Sequence, residues 1–569
     1  MTVIPMSENS RALEAVKFPR YERRGIFMGL KWYQLLLLAA GVLVASTASA
    51  LRGPVGFFAS GPMWLSLILL GLLQYSRIPY PVWAGHAALF LSRLATRQTR
   101  FLVRPERPAL AGHLALPGGL GNLELRRAST GESFIVDARA KEAIAVLRCS
   151  AKSFALLDSD DKAWAVQAWS RVQAGMSQRS SVARIAVQDY TVPYLSSALR
   201  NFYERTVPQP SSTPRELTWG QRAYEDLIAA AGSAMSHDLL LALVVDTGKA
   251  RRRIKESGGG LVGVEQVLRL EVEAMTTALG THNVRVEEWL PETGVLDVVR
   301  GAFDPAAPTT LVRQPAVSTT PPGPGPQNDT EPRAPGVASG PMAVDEHWTY
   351  VRTDSGFHQT FWIAEWPRQK VFPGFLHPLI YVGEFRHTVT EVIRAVPTTE
   401  ALRDIRSAQE AHETRRRINT RFDRPLTREQ RAEEEEVTQR EEEIVAGHGD
   451  VRPAAYVTIT AGTLQELARH RQELESAAAG AFVELRLLAG QQWAAFVAGA
   501  SRSGGDCDEW GTAIRSICTG RREPPGAEGT TEAGSARPQP NVGVRASQFG
   551  EDGRCRARRK RVRQRLGEP

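Results

Sequence analysis

The sequence predicts an α+β protein with five parts: an N-terminal two-helix transmembrane hairpin, two mixed α/β sandwich-like regions, a charged helical hairpin and a disordered C-terminal tail. Three observations predict this fold class. Two uncharged apolar segments stand near the N-terminus, and short β-rich runs then alternate with amphipathic helical patterns. Beyond about Ala500 all periodicity is lost. A chain of 569 residues is also too long for a single core.

The predicted boundaries of these parts follow from changes in composition along the chain. In chain order they are 1–32 (cytoplasmic N-terminal segment), 33–76 (transmembrane helical hairpin), 77–110 (interfacial amphipathic segment), 111–303 (first α+β region), 304–346 (Pro-rich linker), 347–397 (β-rich start of the second α+β region), 398–447 (charged helical hairpin), 448–500 (β-α-β unit) and 501–569 (disordered basic tail).

Two apolar segments of spanning length, residues 33–51 and 57–75, form the predicted transmembrane hairpin. Only "RGPVG" separates them, which predicts a tight turn. The turn carries a single basic residue, Arg52, whereas basic residues are frequent on both outer flanks. The positive-inside rule therefore predicts a two-span protein of the cell membrane with both termini in the cytoplasm.

Aromatic residues near these segments are the predicted spanning or interfacial anchors. They are Trp32, Tyr33, Trp64, Tyr75 and Trp83. The segment after the hairpin, 77–110, predicts an amphipathic helix that lies on the cytoplasmic leaflet. A signal peptide is the alternative for the first span, because "ASTASA" is similar to a small-residue cleavage site. The second span directly behind it favours the hairpin.

Charge and cysteine usage narrow the classes of function. The net charge is +8, and residues 554–565 alone carry seven Arg and one Lys, so the rest of the chain is close to neutral. A general nucleic-acid-binding surface is therefore not predicted. The four cysteines form no C-x-x-C pair and suit neither a zinc ribbon nor a disulfide framework, which favours a reducing compartment.

Between residues 111 and 303 the pattern predicts a small antiparallel meander followed by helices and strands. "GNLELRRAS", "ESFIVDARA" and "EAIAVLRCS" are the meander strands, and "SDDKAWAVQAWSRVQAGMS" is a helix. Further strands and helices alternate up to "HNVRVEEW", which predicts one sheet covered by helices. The Pro-rich stretch 304–346 predicts a linker.

The second region opens with two predicted strands joined through Asp354-Ser355-Gly356, and "PLIYVGEFRHTVTEVIRAVP" is interpreted as another pair of strands. Residues 399–446 predict a helical hairpin, which Thr427 and Gln430 restart through a capping box. A β-α-β unit follows, whose helix Thr463 and Glu466 begin, and "QQWAAFVAGA" is interpreted as a final strand.

Nucleotide chemistry finds little support in the sequence. A phosphate-binding loop needs G-x-x-x-x-G-K-[ST], and the chain has one Gly-Lys pair, Gly248-Lys249. Leu243 stands where the first Gly belongs, and Ala250 stands where Ser or Thr belongs. We therefore predict no cofactor and no nucleotide site.

Asp354, Ser355 and His358 form the one cluster that could suggest a membrane-anchored hydrolase. Asp, Ser and Gly are also typical turn residues, and a strand leading away from the turn would hold His358 about 10 Å from Ser355. Direct proton transfer is not feasible at that distance. His358, His377 and His387 lack a carboxylate at ligand spacing, so no metal site is predicted.

The strand after this turn is predicted to anchor one face through Trp362 and Trp366, and prolines are predicted to end it. Its marker residues are Phe361, Trp362, Glu365, Trp366, Pro367 and Arg368. Near the C-terminus, Arg558, Arg559, Lys560 and Arg561 are candidate contacts to nucleic acid or acidic lipid. They leave a membrane-tethered DNA-binding protein as a further alternative.

Several stretches occur in an order that resembles a known family: "PRYERRGIFMGLKWYQ", "LPGGLGNLEL", "LVVDTGKARRRIKESGGG", "FHQTFWIAEWPR" and "AYVTITAGTLQEL". The chain is similar, over roughly residues 15–500, to actinobacterial membrane proteins of conjugative or integrative elements related to type IV secretion systems. That family fuses a PrgI-like membrane hairpin to a region resembling the non-ATPase N-terminal part of VirB-type conjugation ATPases.

The resemblance implies a scaffold at the inner membrane that docks a separate P-loop ATPase and other secretion or conjugation components. It implies no catalytic residues, and it makes the helical hairpin and second region expected contact surfaces. Nucleic acid and a second copy of the chain stay open as partners. The chain departs from the expected pattern by continuing for about seventy residues after "QQWAAFVAGA", which suggests the hypothesis of a shifted reading frame.

Overall fold

A computed structural model of the protein describes most of the chain between residues 32 and 500. The described ranges are 32–75, 78–103, 113–114, 116–151, 154–193, 203, 218–230, 235–281, 284–306, 340–421, 425–446 and 449–500. The predicted cytoplasmic segment up to residue 31, most of the predicted linker (307–339) and the predicted tail from residue 501 lie outside them.

The elements fall into an N-terminal group and two halves that share one strand plan. The N-terminal group is α1 (Trp32–Ala59), α2 (Gly61–Leu72), β1 (Gln74–Tyr75), β2 (Ile78–Pro79), α3 (Tyr80–Ala95) and β3 (Arg100–Leu102). The first half contains β4 (Leu123–Arg127), β5 (Ser133–Asp137), β6 (Glu142–Ala151), α4 (Ser159–Ser177), β7 (Val182–Pro193), α5 (Trp219–Ala230), β8 (Met235–Asp246), α6 (Arg251–Glu256), α7 (Gly260–Gly280), β9 (Val284–Trp289) and α8 (Glu292–Phe303).

The second half follows the undescribed stretch of the linker. It contains β10 (Ala343–Glu346), β11 (Val351–Arg352), β12 (Phe357–Glu365), α9 (His377–Ile380), β13 (His387–Val396), α10 (Thr398–Arg421), α11 (Arg428–Val445), β14 (Asp450–Ala461), α12 (Leu464–Gly480), β15 (Glu484–Leu487) and α13 (Gln492–Ala500). β10 lies inside the stretch that the sequence predicts to be linker.

Thirteen strands of the described residues form a single antiparallel sheet. Its order is β3-β10-β11-β12-β14-β13-β7-β8-β6-β5-β4, with β15 beside β12 and β9 beside β6. The halves join where β7 pairs with β13 over eight residue pairs, from Arg184 opposite Arg394 to Thr191 opposite His387. The two regions that the sequence predicts are thus two halves of one sheet.

The two halves repeat the same topology. In each, four strands lie in the spatial order 4-1-3-2: β9-β6-β8-β7 in the first half and β15-β12-β14-β13 in the second. This order, with a helix before the fourth strand, is that of the ferredoxin-like β-α-β-β-α-β unit. Each half adds a two-strand meander before its first strand and a helix after its fourth, α8 or α13. The fold therefore repeats one topology twice within the chain.

Helices cover both faces of the sheet. On one face α8 and α13 pack against Leu240, Ala242 and Val244 of β8 and the equivalent part of the second half. On the other face α4 and α7 cover the first half, and α9 with α12 covers the second. A central strand buried on both faces must be apolar throughout, which explains the run "LLLALVV" in β8.

Two predicted strands are wrong because short apolar runs do not distinguish strand from buried helix. The run "QQWAAFVAGA" forms the helix α13, buried on the face of the sheet. The run "PLIYVGEF" contributes to the short helix α9, where Pro378 stands in the first turn, and β13 is the one strand of the predicted pair.

The charged helical hairpin α10–α11 projects from the connection between β13 and β14, and we call it the arm. Its base has a small apolar core that includes Val396, Ile405, Ala408 and Ile444. Further out, Arg415 pairs with Glu433 at 3.4 Å across the two helices. The capping box that the sequence predicts at Thr427 and Gln430 is present, as is the one at Thr463 and Glu466.

Candidate functional site: the junction between the apolar helices and the sheet

α1 is the one helix of the described residues that is long and apolar enough to cross a membrane, and α2 is a shorter apolar helix. Gly53 has a φ of 61°, which breaks the helical geometry of α1 before Pro54. Gln34 Nε2 donates to the Gly71 carbonyl oxygen at 2.8 Å, so the start of α1 lies beside the end of α2. A Cβ on Gly41 would meet Ile68 at 2.9 Å, so the close contact requires glycine there.

The predicted anchor residues lie at the two ends of this helix pair. Trp64 Nε1 donates to the Phe57 carbonyl oxygen at 3.2 Å, near the break at Gly53. Trp32 and Tyr33 begin α1, and Tyr75 follows α2 in β1, so these three lie at the opposite end. The side chains of Trp32 and Tyr75 lie outside the described part of the structure.

α3 joins this helix pair to the sheet through one face. Its start is fixed to the end of α2, because the Tyr80 amide donates to the Leu73 carbonyl oxygen at 3.1 Å. The fifth predicted anchor, Trp83, lies 6.3 Å from the Trp348 ring, and Phe90 lies edge-on to Trp348 at 5.2 Å. Trp83 therefore contacts the sheet region rather than facing away from the protein.

Gly490 makes room for Trp348. It has a φ of 74°, and a Cβ there would lie 2.5 Å from the indole ring. A side chain at this position would be both strained and blocked. The loop between β15 and α13 is thereby packed beneath the ring that receives α3.

A buried ion pair forms the centre of the junction. Arg93 Nη1 donates to Glu346 Oε2 at 2.8 Å, and Nη2 donates to the Gly490 carbonyl oxygen at 2.6 Å. The side chains of Arg93 and Glu346 are 13% and 3% exposed. Glu346 Oε1 also accepts from the Trp493 amide at 3.1 Å, one of the first amides of α13 and hence without a partner inside the helix.

Burial raises the pKa of Glu346, and the Arg93 guanidinium and the Trp493 amide act in the opposite direction. Beside this pair the Gln491 amide donates to the His86 ring, and burial lowers the pKa of His86. α3, β10 and the start of α13 are therefore tied together by polar contacts that are shielded from water.

Asp354, Ser355 and His358 bind three different sets of partners. Asp354 accepts the amides of Met342 and Ala343 at 3.0 and 2.8 Å, and Ser355 donates to Asp304. The turn is as predicted, because the Thr353 amide donates to the Gly356 carbonyl between β11 and β12. These residues therefore stabilise the β11–β12 hairpin and hold Asp304, which follows α8, against it.

His358 is fully buried between two threonines. Thr353 Oγ1 donates its one proton to the Phe303 carbonyl at 2.6 Å, so it accepts from His358 Nε2 at 2.7 Å. His358 Nδ1 is then the acceptor for Thr460 Oγ1 at 2.9 Å. Burial, with a contribution from Arg386, lowers the pKa of His358 to about 3. It is a neutral structural side chain.

The marker strand β12 lies in the interior of the second half. Phe361 and Ile363 face the core under α12, and Trp362 faces the opposite side. The prediction that Trp362 and Trp366 share a face is wrong, because the register shifts between Ile363 and Glu365 and Trp366 packs with Phe361. Arg368 beyond Pro367 pairs with Glu365 at 2.7 Å.

The remaining predicted features also have local partners. Asp246 Oδ1 accepts the amides of Gly248 and Lys249 at 2.8 and 2.9 Å, which is a turn that ends β8. His387 contacts two backbone carbonyls, and the described residues contain no group of three or more potential metal ligands. Arg558, Arg559, Lys560 and Arg561 lie outside the described residues.

Sequence reasoning missed Arg93, Glu346 and Trp348. Arg93 counts in the sequence only as a flanking positive charge, and Glu346 falls in the predicted linker. One signal was present: Arg93 lies on the same helical stripe as Trp83, His86 and Phe90. A charged side chain on the same stripe as aromatic residues indicates a contact with protein better than a contact with lipid.

No protein-family model matches the chain, and no curated protein matches it. The choice of the junction as the candidate site is therefore supported by its geometry alone.

Proposed function

We propose that the chain is a non-catalytic scaffold of the cell membrane, part of a conjugative DNA-transfer or type IV secretion-like machine, and that it docks a separate P-loop ATPase at the cytoplasmic face. The observation that carries this proposal is the junction. A helix of membrane-spanning length is joined through α3 and the buried Arg93–Glu346 pair to a large sheet with a repeated topology. Such a connection suits a platform that holds other components near a membrane.

The proposed anchor is a hairpin of two spans with both termini in the cytoplasm. It is supported by the contact between Gln34 and Gly71, by the break at Gly53 and by aromatic residues at both ends of the helix pair. The distribution of basic residues in the sequence supports the orientation, since Arg52 is the one basic residue of the turn, whereas both outer flanks carry several.

The type of machine is inferred from the sequence resemblance to conjugation and secretion proteins. The proposed docking surfaces are the arm and the second half of the sheet. The arm is about 36 Å long along α10, and its outer part is held by ion pairs and not by an apolar core. A projecting charged hairpin of this kind is free to meet a partner. Nucleic acid, and a second copy of the chain, are further partners that this role would accommodate.

The test is to recover partners of the tagged full-length chain from membranes of its native host after mild crosslinking. We expect a P-loop ATPase among the crosslinked proteins. A triple variant of the arm, Arg415→Glu, Arg416→Glu and Arg417→Glu, should lose the ATPase and keep its membrane location. The matched control is Arg469→Glu on α12, whose side chain is 67% exposed.

Two outcomes would contradict the proposal. Recovery of membrane components without any ATPase would contradict the docking role.

A cysteine at Val55, in the turn, should react with a membrane-impermeant maleimide added outside intact cells, and one at Arg406 on the arm should react only after permeabilisation. The reverse pattern would contradict the orientation.

A further inference from the structure

α3 has a second face that the junction does not use. Nine of its residues are exposed, and none of them is charged: Tyr80, Ala84, Gly85, Ala88, Leu89, Leu91, Ser92, Leu94 and Ala95. Leu91 is 60% exposed and Leu94 is 51% exposed. By contrast, eight of the fifteen exposed residues of α10 are charged, as is usual for a helix in water.

The position of α3 limits what can cover this face. The side of α3 that faces the protein contacts Trp348, Glu346 and Gln491. Seven residues separate the end of α2 from the start of the helix, and the Tyr80–Leu73 hydrogen bond holds it at that point. The uncharged face thus begins beside the end of α2, and α1, which packs against α2, is largely unburied.

We propose that this outer face of α3 lies on the lipid surface of the cytoplasmic leaflet, so that the junction holds the sheet directly against the membrane. This rests on the anchor of the proposed function. It places Leu91 and Leu94 in lipid, whereas the predicted interfacial anchor Trp83, like Phe90, contacts Trp348. Exposed Arg97 follows the helix, where a cationic side chain can reach anionic headgroups, while exposed Arg100 pairs with Asp345 at 3.3 Å.

α3 is therefore a helix with two different partners on opposite faces. An interfacial helix places its apolar face about 5–10 Å into the boundary between headgroups and acyl chains. The buried ion pair on the opposite face fixes the distance between that boundary and β10. The scaffold then stands at a set height and orientation on the membrane, which a flexible tether could not provide.

Fluorescence quenching by lipid in nanodiscs tests the proposal on the full chain. The background carries Cys507→Ser, Cys518→Ser and Cys555→Ser, and Cys149 can stay because burial raises the pKa of its thiol to about 12, which keeps it unreactive. Single cysteines at Leu91 and, separately, at Ser92 receive an environment-sensitive dye. The lipids carry a nitroxide quencher either near the headgroup or near the end of the acyl chain.

We expect both labels on α3 to be quenched, and more strongly by the quencher near the headgroup. A label at Leu43 on α1 reports insertion of the anchor, and a label at Arg406 on the arm should not be quenched. Quenching at Leu43 without quenching at Leu91 and Ser92 would overturn the lipid face of α3 and leave the proposed scaffold intact. Absence of quenching at Leu43 would overturn the anchor itself, and the inference with it.

A second copy of the chain is the competing occupant of this face. Nanodiscs loaded with a single copy separate the two cases. If the α3 labels lose their quenching by lipid and instead report contact between dyes only in discs with two copies, the outer face is a protein interface and the proposal is wrong. Unchanged quenching by lipid in single-copy discs supports it.

Discussion

The first and second halves of the sheet share a strand order but differ in what connects the strands. In the first half the connection between β6 and β7 is the packed helix α4, whereas in the second half residues 366–386 form an irregular segment with the short helix α9. Between the second and third strands the first half has α5, and the second half has the arm. The sheet is thus the common plan, and the connections carry the differences.

The contacts with α3 belong to one half of the sheet. The junction with α3 uses β10, Trp348 and the start of α13, all of which belong to the second half. The arm also belongs to it. The first half contributes a long paired edge through β7 and a larger helical layer over its own face. If the proposed function is correct, the second half is the one that would meet partners, and the first half would support it.

The largest expected effect tests whether the halves depend equally on their final helices. Phe303 of α8 and Phe496 of α13 are each 1% exposed, and their ring centroids lie 5.5 Å apart. Phe303→Ala and Phe496→Ala should each lower the free energy of unfolding by about 3–5 kcal/mol, because both leave a cavity at the same contact. Urea unfolding of the full chain in detergent measures this.

The double variant should lose less than the sum of the two single losses, by about 0.5–1.5 kcal/mol, since both remove one aromatic pair. Phe482→Ala is the control, because Phe482 is 59% exposed and its loss should change the free energy of unfolding by at most about 0.5 kcal/mol. A large loss at one core position and a small loss at the other would show that the two helices are not equivalent.

A smaller effect concerns the backbone hydrogen bonds of the first strand in each half, at the point where its pairing with the fourth strand ends. In the first half the Val146 carbonyl accepts the backbone amide of Leu290 at 2.9 Å. In the second half the equivalent backbone bond, from the Leu488 amide to the Thr360 carbonyl, is longer at 3.5 Å, and a side chain supplements it. Gln492 Oε1 accepts the Thr360 amide at 3.0 Å, and Gln492 Nε2 donates to the Thr360 carbonyl at 3.1 Å. Gln492 is completely buried.

Gln492→Leu should therefore lower the free energy of unfolding by about 1–3 kcal/mol, because it leaves the buried Thr360 amide without its acceptor. Hydrogen exchange should accelerate at Thr360 and stay unchanged along β6. Gln439→Leu on the exposed side of α11 is the matched control. Equal protection of Thr360 in wild type and variant would show that the edge of β12 does not need this side chain.

The third effect depends on pH and lies at the seam between the halves. Glu391 of β13 has Val187 and Ala455 as its cross-strand neighbours, and its carboxylate forms no hydrogen bond or ion pair with the described residues. Burial raises the pKa of Glu391 to about 7 from an ordinary value of 4.5. The folded state then keeps a proton that the unfolded state has released, so stability is lost as the pH rises from about 4.5 to 7.

Glu391→Gln should remove this dependence. At pH 8 we expect the variant to be more stable than wild type by about 1–3 kcal/mol, and at pH 4.5 we expect the two to be similar. Thermal unfolding at both pH values measures the difference, with Glu384→Gln on the exposed loop as control. A variant that is less stable than wild type at pH 8 would mean that the carboxylate has a stabilising role at the seam.

Local patterns predict much of this fold, and long-range pairing explains what they miss. The strand β8, the helix α7 and both capping boxes could be predicted because their signals lie within a few residues. The pairing of β7 with β13 could not, because no local pattern tells which strand edges meet. The repeat was also missed, since the halves share topology and little sequence.

The candidate site shows the same limit. The sequence predicts Trp83 as a membrane anchor, but its ring lies against Trp348, which is 265 positions further along the chain and beyond the predicted linker. α13 was misread because a nine-residue apolar run has no clear period. Arg93 and Glu346 become a pair only through the packing of α3 on β10, which depends on elements from both ends of the described chain.

The smallest expected effect separates the arm from the packed part of the second half. Thr427 begins α11 and Thr463 begins α12 with the same type of capping box, but α12 packs on the sheet and the outer arm does not. Thr463→Ala should lower the global free energy of unfolding by about 1 kcal/mol. Thr427→Ala should instead leave the global value nearly unchanged and speed hydrogen exchange within the first turns of α11, because the outer arm can open without unfolding the sheet. Thr→Ser at each position is the control, since serine keeps the capping oxygen. If Thr427→Ala lowers the global stability as much as Thr463→Ala does, the arm is part of the cooperative core, and its role as an independent docking surface would have to be abandoned.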